Sequence, residues 1–497
     1  MTTRNSSVLP EMYSSIDEVE QNLQQQSSSL ASSVRDNRFV SDSAARIHST
    51  GMTQKQPHLF LHFDVNETIL IGDPAGGDTV TECLNKIIAK SAFVSTDIGT
   101  DVRKTNACGV TNDSIEPRQE RIPSPSSHSV TTSSSHNLIP THWWNGQSIE
   151  QSSLEAPPLY TGWTWPPNTC PYYRTSYKNL AKTFTQGHGR VYRPFYEALC
   201  DKLGLDHNSD SNCCRTGDES LLANFVPAFF HTLQYYFPSR SSDVQTTQPS
   251  NGYLPRPAKV TLVLRTFGTD LPRVVRCISE FAKGNHPDFP DYYNPDLILE
   301  GDLFCSSWVL RDVHGNTVEG DDVPNMEKAE LVYELHTTTA DRAGEHSQHR
   351  IEKGDRCGDD AILDYLQTKT IVGIQDCYPF WSANNYAPWA GKPVWAKTNT
   401  NSFSRKEHHH ILLDDNIHND PNDGAGGIRI PKGLEGKIVD WHTSYESLNG
   451  DDALNMQGKH LIRVPTVCPL MQDDWFIQKI EDARYKYFEE DLKDKVN

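Results

Sequence analysis

Asp64, Asp414 and Asp415 lie far apart in the chain, yet each follows directly on an apolar run, and such acids can do group-transfer chemistry if the fold brings them together. Asp64 ends "HLFLHFD" and is followed by Asn66, Glu67 and Thr68; Asp414 and Asp415 follow "HHILL"; Thr266 closes "VTLVLRT". A carboxylate attacks phosphorus when the charge on the transferring group is neutralised by cations and by N–H or O–H donors. Asp64 is the candidate nucleophile and Thr266 a candidate donor. Neighbouring acids need a cation, and Mg²⁺ takes oxygen ligands from one or two carboxylates plus water and substrate phosphate. Asp64 and Asp414 can supply carboxylates, Asp415 stands beside them, and the backbone carbonyl of Asn66 offers a further oxygen. A lysine placed between the Thr266 and Asp414 runs would be a further donor.

The elements that must position these groups are legible in outline. "LFLHFD" (59–64), "KVTLVLRTFG" (259–268) and "HHILLDDN" (409–416) are continuously apolar before they end in small or charged residues. That pattern marks strands of a parallel sheet buried on both faces. In an open sheet of this kind ligands bind outside the carboxyl ends of the strands, where Asp64, Thr266, Asp414 and Asp415 fall. After the first strand, Asp78 or Thr79 can cap a helix carrying Val80, Leu84, Ile87 and Ile88 on one face. After the second, Pro272 stands early in a helix and Gly284 follows it. Strand, turn and helix repeat, so the expected class is α/β with a Rossmann-like parallel sheet.

Around this core the composition changes. The hydrophobic content is 36% and the net charge −19. Residues 1–56 are rich in Ser and Gln and 99–141 in Ser and Thr, compositions that cannot bury enough surface to offset ordering entropy, and both are expected to be disordered. The core is expected over 57–98 and 255–497. Between its halves, 142–254 contains "YKNLAKTFTQGHGRVYRPFYEALCDKLGL" and "DESLLANFVPAFFHTLQYYF", read as two amphipathic helices of an inserted lobe. A short helix over 16–23 is conceivable.

The acidic balance argues against broad nucleic-acid binding. No stretch reaches the roughly 18 to 20 apolar residues of a membrane span, so no membrane partner is expected. Eleven cysteines with no Cys-x-x-Cys spacing, and one adjacent pair at Cys213 and Cys214, look like reduced usage. Glu11, Asp17, Glu18 and Glu20 near the N-terminus argue against a leader, which makes the cytoplasm the expected compartment.

The string Asp64-Val65-Asn66-Glu67-Thr68-Ile69 after an apolar strand resembles the first motif, Asp-x-Asp-x-Thr/Val, of the haloacid dehalogenase-like (HAD) superfamily. Thr266 at the end of "LVLRT" resembles the second motif, and "ILLDDNIHND", with Asp420 downstream of the acidic pair, the fourth. The resemblance covers about 64–90 and 259–440. It implies a Rossmann-like fold, Mg²⁺ dependence, an aspartyl-phosphate on Asp64, Asp414 as metal ligand with Asp415 its neighbour, a third-motif lysine, for which Lys392 in "WAGKPVW" is the first candidate and Lys397 the second, and a helical cap at 142–254 that selects a small phosphorylated substrate. Asn66 departs from the motif: phosphatases of the family carry there the Asp that protonates the leaving group and activates water. An amide cannot do that work, so the alternative is a catalytically silent member serving as a binding or regulatory module, unless Glu67 or a cap residue substitutes.

Other residues have plainer readings. Arg265 could grip phosphate or pair with a neighbouring acid, and the second is preferred. His408, His409 and His410 are consecutive on a strand and cannot easily converge on a zinc ion. The aromatic segment 376–395, with Asp376 and Tyr378, is either core or a wall facing substrate.

Overall fold

The computed structural model describes residues 56–72, 77–96, 139–150, 155–205, 222, 224–240, 254–299, 302–317, 330–338, 355–383, 391–395, 408–417, 436–439 and 456–496, single positions apart. The tail 1–55, most of 99–141, the 16–23 helix, Cys213 and Cys214, Lys397 and Asp420 lie outside them.

In chain order the strands are β1 His58–Asp64, β2 Phe93–Ser95, β3 Thr169–Pro171, β4 Val260–Thr266, β5 Leu303–Arg311 and β6 Glu330–Thr338. They continue with β7 Arg356–Cys357, β8 Ile371–Gln375, β9 Lys392–Trp395, β10 His408–Asp414, β11 Gly436–Val439 and β12 Leu461–Arg463. The helices are α1 Val80–Ser91, α2 Arg193–Lys202, α3 Pro227–Tyr236, α4 Leu271–Ala282, α5 Asp359–Leu366, α6 Tyr378–Ala383, α7 Val467–Met471 and α8 Trp475–Val496.

Eight strands form the main sheet in the order β12-β10-β1-β4-β8-β5-β6-β7. It is parallel from β12 through β5, and antiparallel where β6 joins β5 and β7 joins β6. The α/β class is therefore as expected, with a mixed edge where a wholly parallel sheet was anticipated. The three strands read from sequence are the adjacent strands β10, β1 and β4, in registers such as Leu61↔Ile411 and Leu61↔Leu262.

Continuous apolarity follows from burial on both faces. Leu59, Leu61 and Phe63 of β1 join one apolar cluster with Leu84 and Ile87 of α1, Ile278 of α4 and Phe476 of α8. Phe60, on the opposite face, joins Val263, Trp308, Ile362 and Trp395 in a second. Each fully buried Leu or Phe contributes roughly 1.5–3 kcal/mol. Trp143, Tyr172, Phe184 and Phe229, from the segment 142–254, belong to the first cluster, and all of these elements fall in one compact unit, Lys55–Thr246 with Pro255–Asn497.

Thr79 caps α1, accepting from the Glu82 N–H at 3.3 Å while Glu82 reaches back to the Thr79 N–H at 2.8 Å. Helix α4 stops before Gly284, whose φ of +82° suits a residue without a side chain; a Cβ there would meet the Pro290 carbonyl oxygen at 2.9 Å. One local expectation fails. The amphipathic helix read over 177–205 is broken into a 3₁₀ stretch Lys178–Gln186 with non-helical backbone at Thr183, a second over Arg190–Tyr192, and then α2. Gly187 and Gly189 lie at the break, where helical propensity is weakest.

The histidines face opposite ways, as alternation requires. His410 Nδ1 and His62 Nε2 are 3.0 Å apart on one side of the sheet. His409 Nε2 donates to the Lys459 carbonyl at 2.8 Å, with its ring stacked on Tyr487 at 4.1 Å. No metal-holding histidine group occurs among the described residues, and no helix of theirs is long and apolar enough to cross a membrane.

Burial pushes His62, His409 and His410 well below the ordinary histidine value. The unfolded chain takes up protons below about pH 6.5 and the folded chain does not, so stability is full above that value and falls with pH below it. Each residue then steepens the fall by up to about 1.4 kcal/mol per pH unit. Urea unfolding between pH 7 and pH 5 should show this slope, and His409→Gln should reduce it by one residue's share. An unchanged slope in the variant would contradict a neutral, buried His409.

Candidate functional site

Strand β10 lies on one side of β1, whereas β4 and β8 lie on the other, so the chain leaves β1 in one direction and returns on its opposite flank. Such a reversal of strand order opens a crevice at the carboxyl ends. Asp64 and Asp414 end the two strands that border it.

Strand alternation sets which way they point. Asp64 pairs in register with Arg265, on the face that carries Phe60 and His62. Strand β9 is fastened on this side: Arg265 Nη1 donates to the Pro393 carbonyl at 2.9 Å, Trp308 Nε1 to Gly391 at 3.2 Å and Trp395 Nε1 to Asp359 at 2.7 Å. Lys392, at the start of β9, thereby sits fully buried with its ammonium bonded to Asp64 Oδ1 and 3.2 Å from Asp414 Oδ2. The Phe267 ring lies 5.0 Å from that ammonium. Of the two candidate lysines, Lys392 is the one seen at the acids.

The turn after β1 supplies the next contacts. Thr68 Oγ1 donates to Asp64 Oδ2 at 3.1 Å and accepts from the Asp415 N–H at 3.1 Å. Asp414 Oδ1 accepts from the Asn416 N–H at 2.8 Å. Thr68 thus ties the two strand ends together, a role its position four residues after Asp64 hinted at. Ligand oxygens of Asp64, Asp414 and Asp415 lie within 4.8 Å of one another, a carboxylate set that could hold a metal ion. Hard divalent cations favour such oxygen donors.

Glu67 departs from its expected role. Its backbone is left-handed at φ +58°, a conformation costly for a non-glycine residue. Its carboxylate turns away to bond Lys86 and, at 2.5 Å, Lys90. Lys90 also reaches Asp415 Oδ2 at 2.5 Å, and Lys86 reaches Asp78 at 2.7 Å. Burial would raise Glu67, but the ammonium groups of Lys90 and Lys86 outweigh it and hold the carboxyl below its usual range. Burial does raise Asp415, against the pull of Lys90. A glutamate gripped by two lysines is not placed to substitute for the carboxyl missing at position 66.

Asn66 Nδ2 instead donates to Asp270 Oδ2 at 3.0 Å, across 204 positions of sequence. Asn66 Oδ1 is buried with no hydrogen-bond partner among the described residues, an arrangement that costs about 1–3 kcal/mol. Thr266, also buried, accepts from the Gly268 N–H at 2.8 Å. Asp270 escaped the sequence reading because it looked only like the residue before a helix.

Arg265 and Asp376 are accounted for structurally. Arg265 Nε donates to Asp376 Oδ2 at 2.8 Å, its Nη2 donates to Asp376 Oδ1 at 2.5 Å, and Tyr333 Oη donates to Asp376 Oδ1 at 2.7 Å. Both charged residues are buried, so neither Arg265 as phosphate grip nor Asp376 as substrate wall survives. Tyr378 is 40% exposed, on α6, with its ring edge toward Phe267.

Removing Lys392 would strand Asp64 and Asp414 without their shared cation. Loss of one partner from a buried charge cluster costs about 3–5 kcal/mol. Lys392→Met should lose stability on that scale in urea at pH 7 without divalent ions, and Asp64→Asn in the same background should recover part of it. Additive losses in the double variant would show that the lysine does not serve those acids.

Comparison with models of known protein families, with curated proteins and with solved structures gives no match to this chain.

Proposed function

We propose that this chain is a Mg²⁺-dependent, HAD-like enzyme of the cytoplasm that transfers or hydrolyses the phosphoryl group of a small phosphorylated metabolite through Asp64. The observation that carries the reading is the meeting of Asp64, Lys392 and Asp414 at the strand-order reversal, with oxygens of Asp415 beside them. The segment 142–254 is assigned the part of a cap.

In this reading an Asp64 oxygen bonds to phosphorus, and the bond to the leaving oxygen breaks with its electron pair going to that oxygen. Water then attacks phosphorus, the bond to Asp64 breaks, and inorganic phosphate departs. Lys392 neutralises and orients the Asp64 carboxylate. Thr266 offers a hydroxyl at the end of β4 for the phosphoryl oxygens. The oxygen-only donor set of Asp64, Asp414 and Asp415, with the Asn66 carbonyl, suits a hard cation, which when bound would neutralise charge on the transferring group.

Asn66 supports a second reading, a silent member that binds phosphorylated ligands without turnover. Phosphate release from a panel of alkyl and aryl phosphomonoesters, with Mg²⁺ and with EDTA, separates the two. Mg²⁺-dependent turnover that falls at least 10³-fold in Asp64→Asn is expected, as losing a nucleophile usually costs that much or more. An inert parent whose Asn66→Asp variant gains turnover would establish the silent reading. Robust activity in Asp64→Asn would end the mechanism.

A further inference from the structure

The proposed chemistry needs a proton donor for the leaving oxygen and an acceptor for the attacking water, and Asn66 can be neither. The carboxyls around the turn have other engagements: Asp64 and Asp414 hold Lys392, Asp415 holds Lys90, and Glu67 is bound by Lys86 and Lys90. Asp270 stands beside the turn and accepts from the Asn66 amide.

Gly268 shows where that carboxylate stands. A Cβ built on it would lie 2.6 Å from Asp270 Oδ2, 3.2 Å from Asn66 Nδ2 and 3.3 Å from Thr266 Oγ1. The three polar atoms therefore surround one point, and only glycine leaves it open. One of them is the hydroxyl assigned to the phosphoryl oxygens, and another belongs to the residue where the acid/base carboxyl is missing. Asn66 Oδ1, buried and without a hydrogen-bond partner among the described residues, belongs to the same group.

We propose that Asp270 supplies the acid/base function absent at position 66, so that the carboxyl and amide have exchanged places between the turn after β1 and the turn after β4. This rests on the phosphoryl-transfer reading above. As an Asp64 oxygen bonds to phosphorus, the protonated Asp270 carboxyl gives its proton to the departing alkoxide, which leaves as the alcohol. Asp270, now a carboxylate, takes a proton from the attacking water, whose oxygen bonds to phosphorus as the bond to Asp64 breaks. Asp270 ends protonated and the cycle closes.

The experiment compares an alkyl phosphate, whose leaving group needs a proton, with p-nitrophenyl phosphate, whose leaving group does not. Asp270→Asn should lose about 10²- to 10⁴-fold in turnover of the alkyl ester. With the aryl ester it should release one p-nitrophenolate per chain in a rapid burst and then stall, because water activation is missing; the burst also certifies a folded site. The exchanged double variant Asn66→Asp/Asp270→Asn should return alkyl turnover to within about tenfold of the parent. Parental turnover in Asp270→Asn, absence of the burst, or failure of the exchanged variant to recover would each overturn the assignment. An inert parent would overturn the phosphoryl-transfer reading itself, and is seen before any variant is compared.

Discussion

The site depends on one buried ammonium. Lys392 lies between Asp64 and Asp414, and without it two carboxylates would face each other in a nearly dry setting with Asp415 close by. Two like charges held that close with little water between them repel, and the ammonium offsets that repulsion. Much of the local architecture keeps that lysine in place. Strand β9 is short, but Arg265 and Trp308 fasten its first half to the sheet, Trp395 at its other end bonds Asp359 of α5, and Arg265 is itself clamped by Asp376 and Tyr333. The buried Arg265–Asp376 pair is thus part of the scaffold for the lysine, with Arg265 in register beside Asp64.

A second set of charges orders the turn that carries Asn66 and Thr68. From Asp415 the contacts run through Lys90, Glu67 and Lys86 to Asp78, and Lys182 closes the series from the segment 142–254. Opposite charges alternate along it, so each buried group has a counter-ion. The left-handed Glu67 is held at its side chain by two lysines and at its carbonyl by Thr466. Strain of this kind persists only when surrounding contacts over-determine it. The outcome is a turn whose backbone is fixed from α1 on one side and from the residues after β12 on the other, with Asn66 directed toward Asp270.

The sheet centre was legible in the sequence for a physical reason. Strands buried on both faces lack alternation, and β1, β4 and β10 read as unbroken apolar runs ending in acids or Thr. Strand β8, "IVGIQ", was not legible, because a five-residue run with Gly373 in its middle gives little signal; there the glycine makes room for Leu303 and Leu271. The antiparallel β5 and β6 escaped as well, since register between them is set by pairing across the sheet rather than by either segment alone. The break in the helix read over 177–205 was foreshadowed by Gly187 and Gly189 but outvoted by the apolar spacing around them. At the site, Asp64 and Asp414 could be named from their places after apolar runs, and Lys392 as one of two candidates for the lysine that the resemblance implies. Lys90 and Asp270 could not, as what makes them relevant is a partner hundreds of positions away.

That last point bears on how the Asn66 departure is to be understood. A motif assigns a role to a position in sequence, but proton transfer needs only a carboxyl at the right place in space. The turns after β1 and β4 run side by side because their strands are paired, so a residue on one can stand where a residue on the other would project. A Cβ at Gly268 would crowd both, lying 2.6 Å from Asp270 Oδ2 and 3.2 Å from Asn66 Nδ2. In the proposed reading, an acid at 270 beside Asn66 keeps a carboxyl where the two turns meet, and the amide donates to it. For the proposed phosphoryl transfer, Asn66 at that position is then a weaker sign of absent chemistry than the absence of every nearby acid would be.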